Sequence, residues 1–343
     1  MPACVPLTPV AAERVARESA EHAFGRAARA LGLDWHMTLD AKQVERWSER
    51  LGDAVVSRRQ AEAESFERGV RPPVPANIPQ LLVIGMDGGR VQERQKDPQT
   101  QSRWREDKVA SVTTYVPGDG GEKEAQPLVT TYVATMKDAA GFGPLVAVEA
   151  YRRGSAAAHT VLNLSDGGEW IDTQGELWRL ADARIIDHKH ASGHLHDVAE
   201  AVCGKQTPEA RALWEELGTH LWEGRIEAVI ARIEREAGRL GPVEKADPPG
   251  HPRRVLRQNA GYFTRHKEHM RYDQFRRKGW PIGSGVTEAG VKGFNKRVKG
   301  TDQFWNRSGV ESILALRALW MSQDGRWERY WENRSAYGHA IAA

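Results

Sequence analysis

Apolar positions recur with helical spacing over the first sixty residues. Phe24, Ala27, Ala28 and Leu31 fall at i, i+3, i+4 and i+7, the spacing of one buried helix face. After a Gly-Leu-Asp-Trp break, Asp40 and Gln43 have the spacing of a capping box. The run they open has Val44, Trp47, Leu51 and Val55 on its apolar side. Two helices joined by a tight turn fit a DNA-reading helix-turn-helix or an ordinary helical hairpin. Arg71-Pro72-Pro73-Val74-Pro75 reads as a stiff linker and a boundary.

Strand patterns follow. Leu81-Leu82-Val83-Ile84-Gly85-Met86 is a continuous apolar run, as in a strand covered on both faces. Asp87-Gly88-Gly89 then reads as a turn, with Arg90–Gln95 pairing back as a hairpin. Lys108–Val116, rich in Val, Thr and Tyr, predicts a third strand. Gly118-Asp119-Gly120-Gly121 reads as an exposed loop. Phe142, Leu145 and Val148 or Glu149 begin a helix that Gly154 can stop. His159–Ser165 and Ala183–Ile186 are the fourth and fifth strands, ending in Asp166 and Asp187. This order predicts an α/β fold with a five-stranded mixed sheet flanked by helices.

From about residue 196 to 278 the pattern is helical. Thr207-Pro208-Glu209 supplies an N-cap, a proline at the first helical position and an acid in the first turn. Ile226, Val229, Ile230 and Ile233 line another amphipathic helix, stopped at Gly241-Pro242. The organisation expected is an N-terminal helical segment and linker (1–78), a first part of the α/β core (79–195), an all-helical insertion (196–278), a closing helix with a basic segment (279–320) and a C-terminal tail (321–343).

Composition narrows the class. Hydrophobic residues make up 40% and charged residues 28% of the 343, close to the globular average, which excludes collagenous and wholly disordered chains. No apolar run approaches the length needed to span a bilayer, and the N-terminus lacks a secretory h-region. The two cysteines, Cys4 and Cys203, cannot build a disulfide framework or a cysteine zinc cage. No membrane partner and a cytoplasmic location are therefore expected.

The net charge of +3 is unevenly spread. Residues 251–310 carry 14 Lys/Arg and 4 Asp/Glu, a net of +10, which leaves −7 for the rest. A basic block beside an acidic remainder suits a polyanionic partner, although a solvated helix surface has the same composition.

Candidate chemistry lies at the strand ends. Asp87, Asp166 and Asp187 each follow a strand run, where ligands bind in open α/β sheets. Gly279-Trp280-Pro281-Ile282-Gly283-Ser284-Gly285-Val286-Thr287-Glu288 then runs into a helix with Ser284 as its N-cap. At about 100° per residue, Val291, Phe294 and Val298 share one face. Glu288, Lys292, Lys296 and Lys299 share the adjoining one. A lone carboxylate among lysines suits a cation ligand beside a phosphate track. An exposed Glu288–Lys292 i,i+4 pair is the plain structural alternative.

These residues carry a resemblance. The chain resembles an insertion-sequence transposase of the ISKra-four family in four ordered segments. They are Val83-Ile84-Gly85-Met86-Asp87-Gly88-Gly89-Arg90, Leu164-Ser165-Asp166-Gly167-Gly168-Glu169-Trp170-Ile171, Ile185-Ile186-Asp187-His188-Lys189-His190 with His194-Leu195, and 279–288 with Lys296-Arg297-Val298-Lys299-Gly300 and Leu314-Ala315-Leu316-Arg317. The resemblance implies an RNase H-like catalytic fold with an Asp-Asp-Glu triad. Asp87, Asp166 and Glu288 would then be catalytic residues and the ligands of two Mg²⁺ ions, for which Mn²⁺ can substitute. It further implies DNA contacts from Lys292, Lys296, Arg297 and Lys299, with Asp187, His190 and His194 in support of the site. The implied activity is metal-dependent cleavage at element ends and strand transfer into target DNA, by a homo-oligomer on DNA in the nucleoid. The same triad would serve an RNase H-like nuclease that cuts without joining, and a truncated, catalytically silent DNA-binding remnant would keep the fold alone. Trp280, Trp305, Trp327 and Trp331, in or beyond the basic block, are candidates for base stacking or for the core.

Overall fold

The structure is a computed structural model that describes residues 7–121, 123–168, 170–171, 173, 181–300 and 303–336. Three helices come first: α1 (Pro9–Glu21), α2 (Phe24–Trp35) and α3 (Ala41–Glu67). The strands are β1 (Leu81–Gln92), β2 (Trp104–Val116), β3 (Gln126–Thr135), β4 (Thr160–Ser165) and β5 (Ala183–Ile186), with α4 (Ala139–Arg152) between β3 and β4. They form one five-stranded mixed sheet in the order β3-β2-β1-β4-β5. After β5 come α5 (His188–Cys203), α6 (Pro208–Trp222), α7 (Ile226–Leu240), α8 (Pro252–His266), a 3₁₀ turn (Lys267–Met270) and α9 (Tyr272–Arg277). Then α10 (Gly285–Val298), α11 (Arg307–Met321) and α12 (Arg326–Ala336) close the chain.

Two compact units divide the chain, one of residues 1–114, 127–159 and 285–343, the other of residues 115–126 and 160–284. The proline-rich stretch at 71–75 lies inside the first.

In the first unit the N-terminal helices belong to the core. Val15, Leu31, Trp47 and Leu51 pack in one cluster with Ile313, Leu314 and Leu316 of α11 and Phe294 and Val298 of α10. The Asp40–Gln43 capping box forms as the spacing predicts, and Val44, Trp47, Leu51 and Val55 are buried. On α4, Glu149 is buried and accepts hydrogen bonds from Arg326 at 2.5 and 2.9 Å. Although burial opposes its charge, Arg326 and Arg152 hold its carboxyl down at about 2.

Two expectations fail at the sheet. Asp87-Gly88-Gly89 is not a turn: β1 runs unbroken through it to Gln92. The glycines serve the neighbouring strand instead. A Cβ on Gly88 would stand 2.5 Å from Glu106 Oε1, and one on Gly89 2.5 Å from Asp107 Oδ1. The return strand is therefore β2, starting at Trp104 rather than at Arg90. β3 was not foreseen, because its Pro-Leu-Val-Thr-Thr run follows a glycine- and charge-rich loop.

In the second unit β4 pairs in parallel with β5, Leu164 opposite Ile185. The helical segment forms as expected, with Thr207 capping α6 through the Ala210 N–H and Ile226, Val229 and Ile233 buried on α7. Among the described residues no helix is long and apolar enough to cross a membrane.

Candidate active site

In the first unit, bare backbone lets a helix seat on a strand. A Cβ on Gly85 would lie 1.8 Å from Thr287 Oγ1 and 2.9 Å from Ser111 Oγ. Those two hydroxyls share a buried hydrogen bond of 2.8 Å. The first turn of α10 is thereby fixed on the β1 face that carries Gly85. Side chains alternate along a strand, so Asp87, two residues on, faces the same way. Glu288 follows Thr287 directly. Its carboxylate accepts from Lys292 Nζ at 3.2 Å, so the i,i+4 pair foreseen in the sequence does form. Asp87 accepts from the Gly88 N–H at 2.6 Å.

A further acid stands on this face, and the sequence reading had passed over it. Asp107 on β2 lies against Gly89, is completely buried, and neither of its oxygens has a hydrogen-bond partner. Burial pushes its carboxyl up to about 6, and the charges of Glu106 and Asp87 push the same way. A buried ionised carboxylate without partners costs several kcal/mol, roughly, unless it takes a proton or a cation. Such all-oxygen, orphaned donors suit a hard divalent cation. The only signal was its place in the Glu106-Asp107-Lys108 run, one residue before the predicted strand start.

In the second unit, Asp166 ends β4 in a tight turn. The Gly168 N–H donates to Asp166 Oδ1 at 3.0 Å, and the Tyr262 hydroxyl of α8 donates to the Asp166 carbonyl at 3.1 Å. Gly167 has φ +88°, a conformation that favours glycine, and a Cβ there would crowd Ile186 Cδ1 at 3.1 Å and the Tyr262 ring at 3.3 Å.

Behind that turn His194 stacks on Tyr262 with centroids 4.0 Å apart, and its Nδ1 is 2.8 Å from Asn259 Oδ1. The Asn259 amide is oriented by its own Nδ2, which donates to the Val255 carbonyl at 2.8 Å. Oδ1 must then accept, so His194 Nδ1 carries the proton and Nε2 keeps its lone pair. Burial lowers the His194 pKa below the ordinary 6.5, against the pull of Asn259. The result is a neutral imidazole with one free acceptor, its ring 5.0 Å from that of His190.

Asp187 is a strut. Its Oδ1 accepts from the His190 N–H and its Oδ2 from the Ser284 N–H, both at 2.6 Å. Both oxygens are thus engaged by backbone donors, and the residue that follows Ser284 is the first of α10. Asp187 thereby ties the start of α5 to the backbone at Ser284 within the second unit.

Among the described residues, no three His, Cys, Asp or Glu side chains already stand close enough to hold one metal ion. Asp87 and Glu288 belong to the first unit, Asp166, Asp187, His190 and His194 to the second.

Of the expected DNA-facing residues, Lys292, Lys296 and Lys299 are exposed. Arg297 is not: it is 2% exposed, donates from Nε to the Ser19 carbonyl at 2.6 Å, and lies over the Phe24 and Trp305 rings. Burial brings its pKa down to about 9. Arg297 is therefore a core residue that ties α10 to α1, and it leaves the DNA-facing set. Trp305, Trp327 and Trp331 are likewise buried. Trp280 is half-buried against Phe275, with Lys278 over its ring.

No protein family and no curated protein matches this chain. Among solved structures, the Drosophila P element transposase strand transfer complex is similar at 11% identity and a TM-score of 0.35, over 90% of this chain and 91% of that one. At that level the likeness carries no argument.

Proposed function

We propose that the chain is a DNA transposase with an RNase H-like catalytic core, cutting phosphodiesters at element ends and joining them to target DNA. The observation that supports this reading is the seating of α10 on β1 through Thr287 and Gly85: Glu288 is the next residue after Thr287, and Asp87 lies two residues beyond Gly85 on the same strand. The ordered motifs around Asp87, Asp166, Asp187 and Glu288 support it.

In this reading Asp87, Asp166 and Glu288 hold two Mg²⁺ ions, with Mn²⁺ as a substitute. Bound there, such ions would supply Lewis-acid chemistry, lowering the pKa of an attacking water or hydroxyl and stabilising charge on the leaving oxygen. The residues of the chain do the rest. Asp107 adds negative charge behind Asp87 and strengthens the preference for a cation. Asp187 fixes the backbone ahead of α10. His194 offers a neutral acceptor near the Asp166 turn, with His190 beside it. Lys292, Lys296 and Lys299 line a track for phosphates. DNA ends and target DNA are the proposed partners, bound by a homo-oligomer in the nucleoid.

A strand-transfer assay tests the function. A duplex with an exposed 3′-hydroxyl is incubated with the full chain, Mg²⁺ and supercoiled plasmid. Joined products are expected. Cleavage without joining would instead make the protein a nuclease, and neither reaction, with DNA binding retained, a silent remnant.

A further inference from the structure

The first unit carries an aromatic and basic surface that none of the residues above explains. Three Trp or Phe rings are exposed among the described residues, and two of them lie in this unit: Trp104 and Phe304, each 40% exposed. Backbone hydrogen bonds hold the residues next to both rings. Trp104 opens β2, directly after Arg103, whose carbonyl accepts from the Glu93 N–H at 2.9 Å. Phe304 precedes Trp305, which is pinned on both sides: its N–H donates to the Gln92 carbonyl at 2.9 Å and its carbonyl accepts from the Arg94 N–H at 2.8 Å. The Trp305 ring is buried, with Nε1 donating to the Val298 carbonyl at 2.9 Å. An inward tryptophan thus anchors an outward phenylalanine.

Cations flank both rings. The Arg103 guanidinium lies 5.4 Å from the Phe304 centroid, and Lys299 Nζ lies 5.4 Å from the Trp104 centroid. Arg94 Nε donates to the Phe304 carbonyl at 3.2 Å. No carboxylate lies within ion-pair distance of Arg103 or Lys299 among the described residues.

Exposed rigid rings beside unneutralised cations match the chemistry of one partner class. Every base offers a π-face to an aromatic ring, and every nucleotide brings a phosphate to a nearby cation. In a duplex the π-faces are covered by neighbouring bases, so a protein ring reaches phosphates and base edges but cannot stack within the helix. We propose that Trp104 and Phe304 form a stacking platform for unpaired bases of single-stranded DNA, with Arg103 and Lys299 taking the adjacent phosphates, while Arg94 is paired with Glu45 at 3.9 Å. This deepens the proposed function, since it names the strand form that the protein holds near its basic helix.

The test uses the full chain in chelator, so that no cleavage interferes. Binding of a fluorescein-labelled 15-nucleotide oligo-dT and of a blunt duplex is followed by anisotropy for wild type, Trp104→Ala, Phe304→Ala, Trp104→Phe and Lys299→Ala. Each alanine variant at a ring is expected to weaken single-strand binding about fivefold or more and duplex binding less than about twofold. Trp104→Phe keeps a π-face and is expected to retain most of the affinity, which also controls for misfolding. Lys299→Ala is expected to lower the salt slope on the single strand by about 0.7. Unchanged single-strand affinity in Trp104→Ala and Phe304→Ala, or equal losses on duplex, would overturn the platform. A chain that binds single strands through Trp104 yet never cleaves DNA would refute the function alone. One that cleaves DNA while Trp104→Ala binds normally would refute the platform alone.

Discussion

Thr287 occupies the space that a side chain on Gly85 would need, its Oγ1 lying 1.8 Å from where a Cβ would be. The contact lies between a strand whose next outward residue is Asp87 and a helix whose next residue is Glu288. Two acids that are 201 positions apart in sequence are therefore addressed by one glycine.

Gly85→Ala should unseat α10. Overpacking of this kind costs about 1–3 kcal/mol, and the buried Ser111–Thr287 hydrogen bond is lost with it. Thr287→Ala alone should cost less, and the double variant Gly85→Ala/Thr287→Ala should recover part of the loss. Denaturant melts of the four proteins measure the coupling. Strict additivity would mean that the two residues do not share that space.

Asp107→Asn should stabilise the protein at alkaline pH. With a folded-state pKa of about 6 against an ordinary 3.8, the native state binds this proton more tightly than the unfolded one. The stabilising contribution of this one group is therefore greatest below about pH 4, is lost as pH rises through about 6, and is level above that. Asn has nothing to ionise. The variant should match wild type near pH 4 and exceed it by roughly 1–3 kcal/mol at pH 8. Urea melts across that range decide it, and a variant less stable than wild type at pH 8 would contradict the assignment.

Asn259→Asp should raise the His194 pKa. In wild type the imidazole is neutral with its proton on Nδ1, and burial holds the pKa below 6.5. A carboxylate at Oδ1 favours the imidazolium, so the titration of His194 by NMR should move to higher pH. A wild-type signal for the Nε2–H tautomer, or no movement in the variant, would remove this orientation.

Local signals in the sequence were read well because they depend on neighbours in the chain. The Asp40–Gln43 box, the Thr207-Pro208 start and the apolar face Val44, Trp47, Leu51 and Val55 all stand where spacing put them. Asp87-Gly88-Gly89 misled because glycine serves two ends: it permits turns, and it makes room for groups on another strand. Here Glu106 and Asp107 use the room, and no local pattern announces them. Arg297 was grouped with the basic face by charge. On the helical wheel it falls about 180° from Glu288, away from the lysines, and the core cluster around Phe24 and Trp305 claims it. Trp104 and Phe304 escaped notice because exposure is decided by the hairpin and by the Trp305 anchor, not by composition.

The central claim is that Asp87, Asp166 and Glu288 act together on divalent cations. Its most direct test is the binding of Mn²⁺ by calorimetry together with DNA cleavage, for wild type and for Asp87→Asn, Asp166→Asn and Glu288→Gln. The account predicts Mn²⁺ binding by wild type, a loss of affinity in each variant, and cleavage reduced about a thousandfold or more while DNA binding persists. Undiminished cleavage or undiminished Mn²⁺ affinity in any one of the three would contradict it.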